Sequence, residues 1–179
     1  MSSKKRKIRL FENDVTITGI HASHMKFLVN ETKLFNDYID VYMNAAVFGY
    51  YYSKKENKDT EIDDRARIYA DAFSTHREEC LFIYRLIMLL DDSEVPLEER
   101  LDRTFRYDSN DEKDEELAEC IELFHKYVRG GIEYMFEKFT SGCTSEEDYL
   151  KASFDITRDF KDSIDGVSYS EKIQKILGR

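Results

Sequence analysis

The chain has no tryptophan and a single proline among 179 residues. With only seven glycines as well, few positions interrupt regular structure, which favours long helices over a hairpin-rich β fold. Cys80, Cys120 and Cys143 are odd in number, widely spaced and without a Cys-x-x-Cys pair. They exclude a disulfide framework and a cysteine zinc site, and read as reduced thiols. No apolar run approaches the length of a membrane span. The charged N-terminus is not followed by the apolar stretch of a secretory signal. The expectation is a soluble, cytoplasmic protein with no membrane partner. Also missing are Gly-x-Gly-x-x-Gly, the phosphate-cradling Gly-x4-Gly-Lys-Ser/Thr and Gly-x-Ser-x-Gly, and with them the commonest nucleotide and hydrolase signatures.

Charge is abundant but uneven. The net charge is −10, yet Lys4, Lys5, Arg6, Lys7 and Arg9 stand together at the start without an acid, leaving the remainder at about −15. Fourteen acids face four bases between Asp91 and Glu122. Such a body repels nucleic acid at long range. The basic residues make 1–10 a candidate flexible arm, either a solubilising tail or a contact to phosphate. Residues 11–179 are expected to form a single helical domain, with a C-terminal helical extension over about 144–179.

Helical periodicity dominates what remains. Residues 31–52 carry Phe35, Tyr38, Ile39, Tyr42, Met43, Ala46 and Gly49 on one row, with Val41, Ala45, Phe48 and Tyr52 beside it. Further helices are expected over about 60–73, 75–91, 96–107, 113–139, 146–164 and 169–177. The 75–91 helix is apolar almost all round in its second half and reads as core; the 96–107 helix is expected to bury Leu97, Leu101 and Phe105. Val15, Ile17 and Ile20 suit a short strand or an extended lead-in, and Ala22 to Val29 a helical turn or two. The 113–139 helix runs through Leu117, Ile121, Phe124, Val128 and Met135, interrupted by Gly130 and Gly131. Two glycines inside a helix cost about 1 kcal/mol each against alanine, which calls for close packing or a kink. The fold class is therefore all-α, a bundle of five to seven helices.

Candidate chemistry is sparse. His21 and His24 share a helical spacing, but no His-Glu-x-x-His accompanies them. Glu122 and His125 form one Glu-x-x-His, whereas di-iron bundles use two. Cys80 lies four residues after His76, at the entrance to an apolar helix where a thiol is normally inert. Asp91 and Asp92 sit at a helix end, where the dipole disfavours acids. Arg129 abuts the glycine pair and fits either an internal ion pair or a partner's acid. Tyr50, Tyr51 and Tyr52 fit a core, a self-interface or a partner groove. No catalytic residue, cofactor or metal is expected. Arg129, Gly130, Gly131 and the three tyrosines are the candidate partner-binding positions. Lys4, Lys5, Arg6, Lys7 and Arg9 are the candidate nucleic-acid positions.

The order of these segments resembles a known family. LFNDYIDVYMNAAVFGYYYSKKE is followed by ARIYADAF, LFIYRLIMLLDD, LEERLDRTF and ELFHKYVRGGIEYMFEKF. This is similar to the Dnd (DNA phosphorothioation) system-associated protein 4 family, or a neighbouring bacterial defence-operon accessory family, over a core of about 11–139. Phe35, Tyr38, Ala45, Ala46, Gly49, Tyr127, Gly130 and Gly131 carry the resemblance. It implies a non-catalytic accessory subunit of a bacterial anti-phage system of the DNA modification-restriction type. Its expected partners are larger protein subunits or a second copy, with nucleic acid engaged only weakly or indirectly. The alternatives are a nucleic-acid-binding regulator using the basic arm, and a helical enzyme or ligand binder whose site assembles from distant residues.

Overall fold

Two apolar helices, residues 38–51 and 114–140, form the frame. The computed structural model describes residues 8–91 and 95–165. Among them run β1 (Val15–Thr18), α1 (Ile20–Asn30), α2 (Tyr38–Tyr51), β2 (Arg65–Ile68), α3 (Ala70–Thr75), α4 (Arg77–Leu90), α5 (Leu97–Phe105), α6 (Asp114–Thr140) and α7 (Glu146–Asp165). The fold is all-α apart from one two-stranded ribbon. No helix among the described residues is long and apolar enough to cross a membrane.

Most helices begin where local chemistry dictates. α2 starts later than its apolar periodicity suggested, at a capping box between Asp37 and Asp40. The preceding segment is held out of helix by Lys33 at φ 55° and by Thr32, whose hydroxyl donates to the Leu28 carbonyl at 2.7 Å. α1 is longer than a turn or two because its first amides have a distant acceptor: Ile20 N–H donates to Asp59 Oδ2 at 2.7 Å. α7 opens with Ser145 and Asp148 in a reciprocal cap. The helix expected over 169–177 and the turn at Asp92–Ser93 lie outside the described residues.

The helix expected over about 60–73 is not formed. Residues 65–68 instead pair antiparallel with β1, in the register Val15↔Ile68 and Ile17↔Ala66. The alternation of Arg65, Ala66, Arg67 and Ile68 buries Ala66 and Ile68 while both arginines stay exposed. Ile62 and Tyr69, which the helical reading placed inside, are exposed. Pairing with β1 overrides an ambiguous local pattern.

The core lies between α1, α2, α4 and α6, around Met25, Leu28, Tyr42, Phe73, Tyr84, Met88, Val128, Ile132 and Met135. Leu10 is buried as well, so the expected arm ends before residue 10. The chain divides into two compact units, the first ending at Phe136 and the second beginning at Glu137, a boundary within α6.

Candidate functional site

The small residues of α2 and α6 resolve the choice between kink and close packing. A Cβ on Gly131 would overlap the Ala45 carbonyl, and one on Gly49 would overlap the Tyr127 carbonyl. The backbones of α2 and α6 therefore touch. Gly130 leaves room for the Lys54 carbonyl of the segment after α2. That segment is charged but pinned: Glu56 N–H donates to the Lys126 carbonyl at 3.0 Å, and Arg129 Nε donates to the Glu56 carbonyl at 2.9 Å. Arg129 also reaches Glu122 Oε1 at 2.5 Å. Tyr50 donates to the Leu90 carbonyl at 3.0 Å and meets Tyr127 edge-on. Tyr52 stacks on Tyr134 at 4.2 Å between ring centroids, with Tyr51 against its edge. The six partner-binding candidates thus gather along one seam and contact this chain's own backbone and rings. Arg9 donates to the Asp108 carbonyl at 2.9 Å, and Lys4, Lys5, Arg6 and Lys7 lie outside the described residues.

Among the described residues no group of three or more His, Cys, Asp or Glu is placed to hold a metal ion. His24 stacks on Phe136 with centroids 3.8 Å apart. His21 is buried, with Glu133 Oε1 3.3 Å from its Nε2 but without hydrogen-bond geometry. Burial, the Arg129 charge and His24 hold His21 at a pKa of about 4. His125 Nε2 lies 3.0 Å from the Tyr42 hydroxyl. Burial and the Arg129 guanidinium hold it, too, at about 4, so both imidazoles are neutral near pH 7. Cys80 is buried and its thiol is pushed up to about 12 by burial, then by Glu79. That shift favours the protonated thiol over the nucleophilic thiolate at neutral pH.

An unexpected surface lies on α4 and α5. Phe82, Leu86 and Leu90 follow one another at four-residue spacing along α4, and Leu97, Leu101 and Phe105 do so along α5; all six are exposed. Phe82 is 66% exposed, Leu97 53% and Phe105 51%. The expected burial of Leu97, Leu101 and Phe105 therefore fails, whereas α4 is core on one face, through Cys80, Tyr84, Ile87 and Met88, and exposed on the other. α5 turns its polar side inward instead, burying Arg103 and Thr104. The reason is the end of α4, whose last carbonyls have no helical partner. Arg103 Nε donates to the Met88 carbonyl at 2.8 Å and its Nη2 to the Asp91 carbonyl. Arg100 Nη1 donates to the Leu89 carbonyl at 3.3 Å. Seating these guanidiniums rotates the apolar stripe of α5 outward. Asp91 is held at this helix end by the Tyr127 hydroxyl at 3.1 Å and by Lys55 Nζ at 3.5 Å. A groove beside the stripe is lined by Leu81, Phe82, Arg85, Leu86, Leu89 and Phe105.

No protein-family model, curated protein or solved structure matches the chain. Sequence reasoning missed the α4–α5 face because it assigned every apolar stripe to the core. The signal available was Arg100 and Arg103 on the opposite side of the 97–105 wheel, just after a helix end in need of donors.

Proposed function

We propose that the chain is a non-catalytic accessory subunit that docks an amphipathic helix of a larger protein on its α4–α5 face. The observation that carries this reading is the outward apolar stripe of α5. An isolated globular surface rarely places so many large apolar side chains side by side, and a helix-in-groove partner covers such a stripe with anchors at matching spacing. The rim sets the partner's charge. Glu78 lines the groove and is exposed, as are Glu79, Glu98 and Glu99 on the same two helices. The nearby arginines are committed within the chain: Arg77 to Glu12, Arg85 to Asp108, Arg106 to Asp102 and Arg103 to carbonyls. The matching helix therefore presents leucine- or phenylalanine-type anchors flanked by Lys and Arg. The family resemblance supports reading this interaction subunit as one of a bacterial defence system of the DNA modification-restriction type.

The test is affinity purification of the tagged chain expressed with its own gene neighbourhood, followed by cross-linking and mass spectrometry. A stoichiometric partner is expected, cross-linked to α4 and α5 through a basic-flanked helix. Phe82→Glu with Phe105→Glu should release it while leaving the thermal midpoint within a few degrees. A solitary chain, or a partner retained by the double variant, overturns the assignment. Salt-sensitive DNA binding that disappears on removal of residues 1–9 would replace it with the regulator.

A further inference from the structure

A second feature lies on the inward side of α4 and is independent of the docking face. Residues 8–15 run beside α2, α4 and α6 and with them line a half-open cavity of about 220 Å³. Its lining includes Phe11, Tyr42, Tyr84, Ile121, Phe124 and His125. Phe11, at φ 57°, turns its ring into this group. It lies 6.2 Å from Tyr84 and 6.1 Å from Phe124, both edge-on, and 5.6 Å from Phe73 in a stack. The walls therefore offer aromatic faces and edges, and the space exceeds the ~150 Å³ apolar cavity known to accept benzene.

The polar side chains lining the cavity are Arg9, Asn13 and Asp14 on the outer segment and Tyr42, Tyr84 and His125 on the helices. His125 and Tyr42 line it as one hydrogen-bonded pair, 3.0 Å apart. The pair is uncharged near pH 7, because burial raises the Tyr42 phenol and lowers the His125 imidazole. With the ring proton on Nε2 the imidazole donates to the phenol oxygen and leaves the phenol O–H to donate to a guest; with the proton on Nδ1 the phenol donates to Nε2 and its oxygen can still accept. The charges at the mouth are already engaged. Arg9 donates to the Asp108 carbonyl. Asp14 accepts from the Ala70 amide at 2.7 Å and pairs with Arg67. A charged guest would lose its hydration against the aromatic walls.

We infer that this cavity is a binding site for a small neutral aromatic molecule of one or two rings that carries a single hydrogen-bonding group, read by Tyr42 and His125. The rings of Phe11, Tyr84 and Phe124 supply the contact area, and the 8–15 segment forms the outer wall.

The probes are phenol, indole and benzene, added to the full chain and followed by amide chemical shifts and thermal midpoint. Saturable shifts are expected at 11–15 and 121–125, with a rising midpoint and a Kd of about 1 mM or tighter for phenol or indole. Ile121→Trp, which fills the space, should weaken all three at least tenfold. Tyr42→Phe should weaken phenol several-fold more than benzene. Absence of binding by all three probes up to 10 mM overturns the site, as does binding unchanged by Ile121→Trp. If Ile121→Trp does not fold, the Tyr42→Phe comparison decides alone: an unchanged ratio of phenol to benzene affinity overturns the assignment.

Discussion

Gly131 of α6 lies against the carbonyl of Ala45 in α2, so close that a single methyl group would overlap it. The opposing atom is backbone and cannot swing aside. Gly131→Ala is therefore expected to destabilise the chain by about 3 kcal/mol or more, despite the roughly 1 kcal/mol gained in helix propensity. Gly49→Ala, which meets the Tyr127 carbonyl, should behave alike. Gly142, at φ 74° with open space around it, is the control, where alanine should cost only about 1 kcal/mol. Urea denaturation of the three variants checks the order; a mild Gly131→Ala would disprove backbone contact between α2 and α6.

Arg103 closes the end of α4 by bonding two of its carbonyls from a buried position. Arg103→Met keeps most of the volume but strands those acceptors, at an expected cost of about 2–3 kcal/mol. Arg103→Lys should recover less than half, because one ammonium cannot reproduce a planar fork bonded at two nitrogens. Equal stability of the lysine and arginine forms, measured by chemical denaturation, would contradict the role given to the fork.

Stability should fall as the medium is acidified from pH 6.5 towards 4. His21 and His125 titrate near 4 when folded, against an ordinary value of 6.5. In that window the unfolded chain binds protons that the folded chain refuses, which favours unfolding. The contribution is complete above 6.5 and lost by about 4, on the order of 1–3 kcal/mol in all. Asp64, held near 2 by Lys26 and Ser23, adds acid sensitivity only below its ordinary 3.8. Glu133, raised by burial, acts in the opposite sense as pH rises through the carboxylate range. Thermal midpoints across pH 4–7 should show the slope, and His125→Gln should flatten it; an unchanged slope would remove His125 from the account.

Thiol labelling should separate the cysteines. Cys80 and Cys120 are buried, and burial raises both thiols, whereas Cys143 is partly exposed. Brief treatment of the folded chain with a thiol reagent at pH 7.5 should modify Cys143 first and leave the other two until denaturant is added. Prompt modification of Cys80 would restore it as a candidate nucleophile beside His76.

The sequence by itself determined the helical class, the long α6 and the helix that became α7. Each rests on local spacing or on a residue type with one strong physical preference. Tertiary structure alone decided three things. It made residues 65–68 a strand, because Ala66 fits both a period of two with Ile68 and a helical row with Ile62, Tyr69 and Phe73 until β1 supplied a pairing partner. It brought Tyr42 to His125 and folded residues 8–15 over them, a contact between positions 83 residues apart that no local pattern encodes. It turned the apolar stripe of α5 outward, because the unsatisfied carbonyls ending α4 drew Arg100 and Arg103 inward, and a helix cannot present both faces to one neighbour.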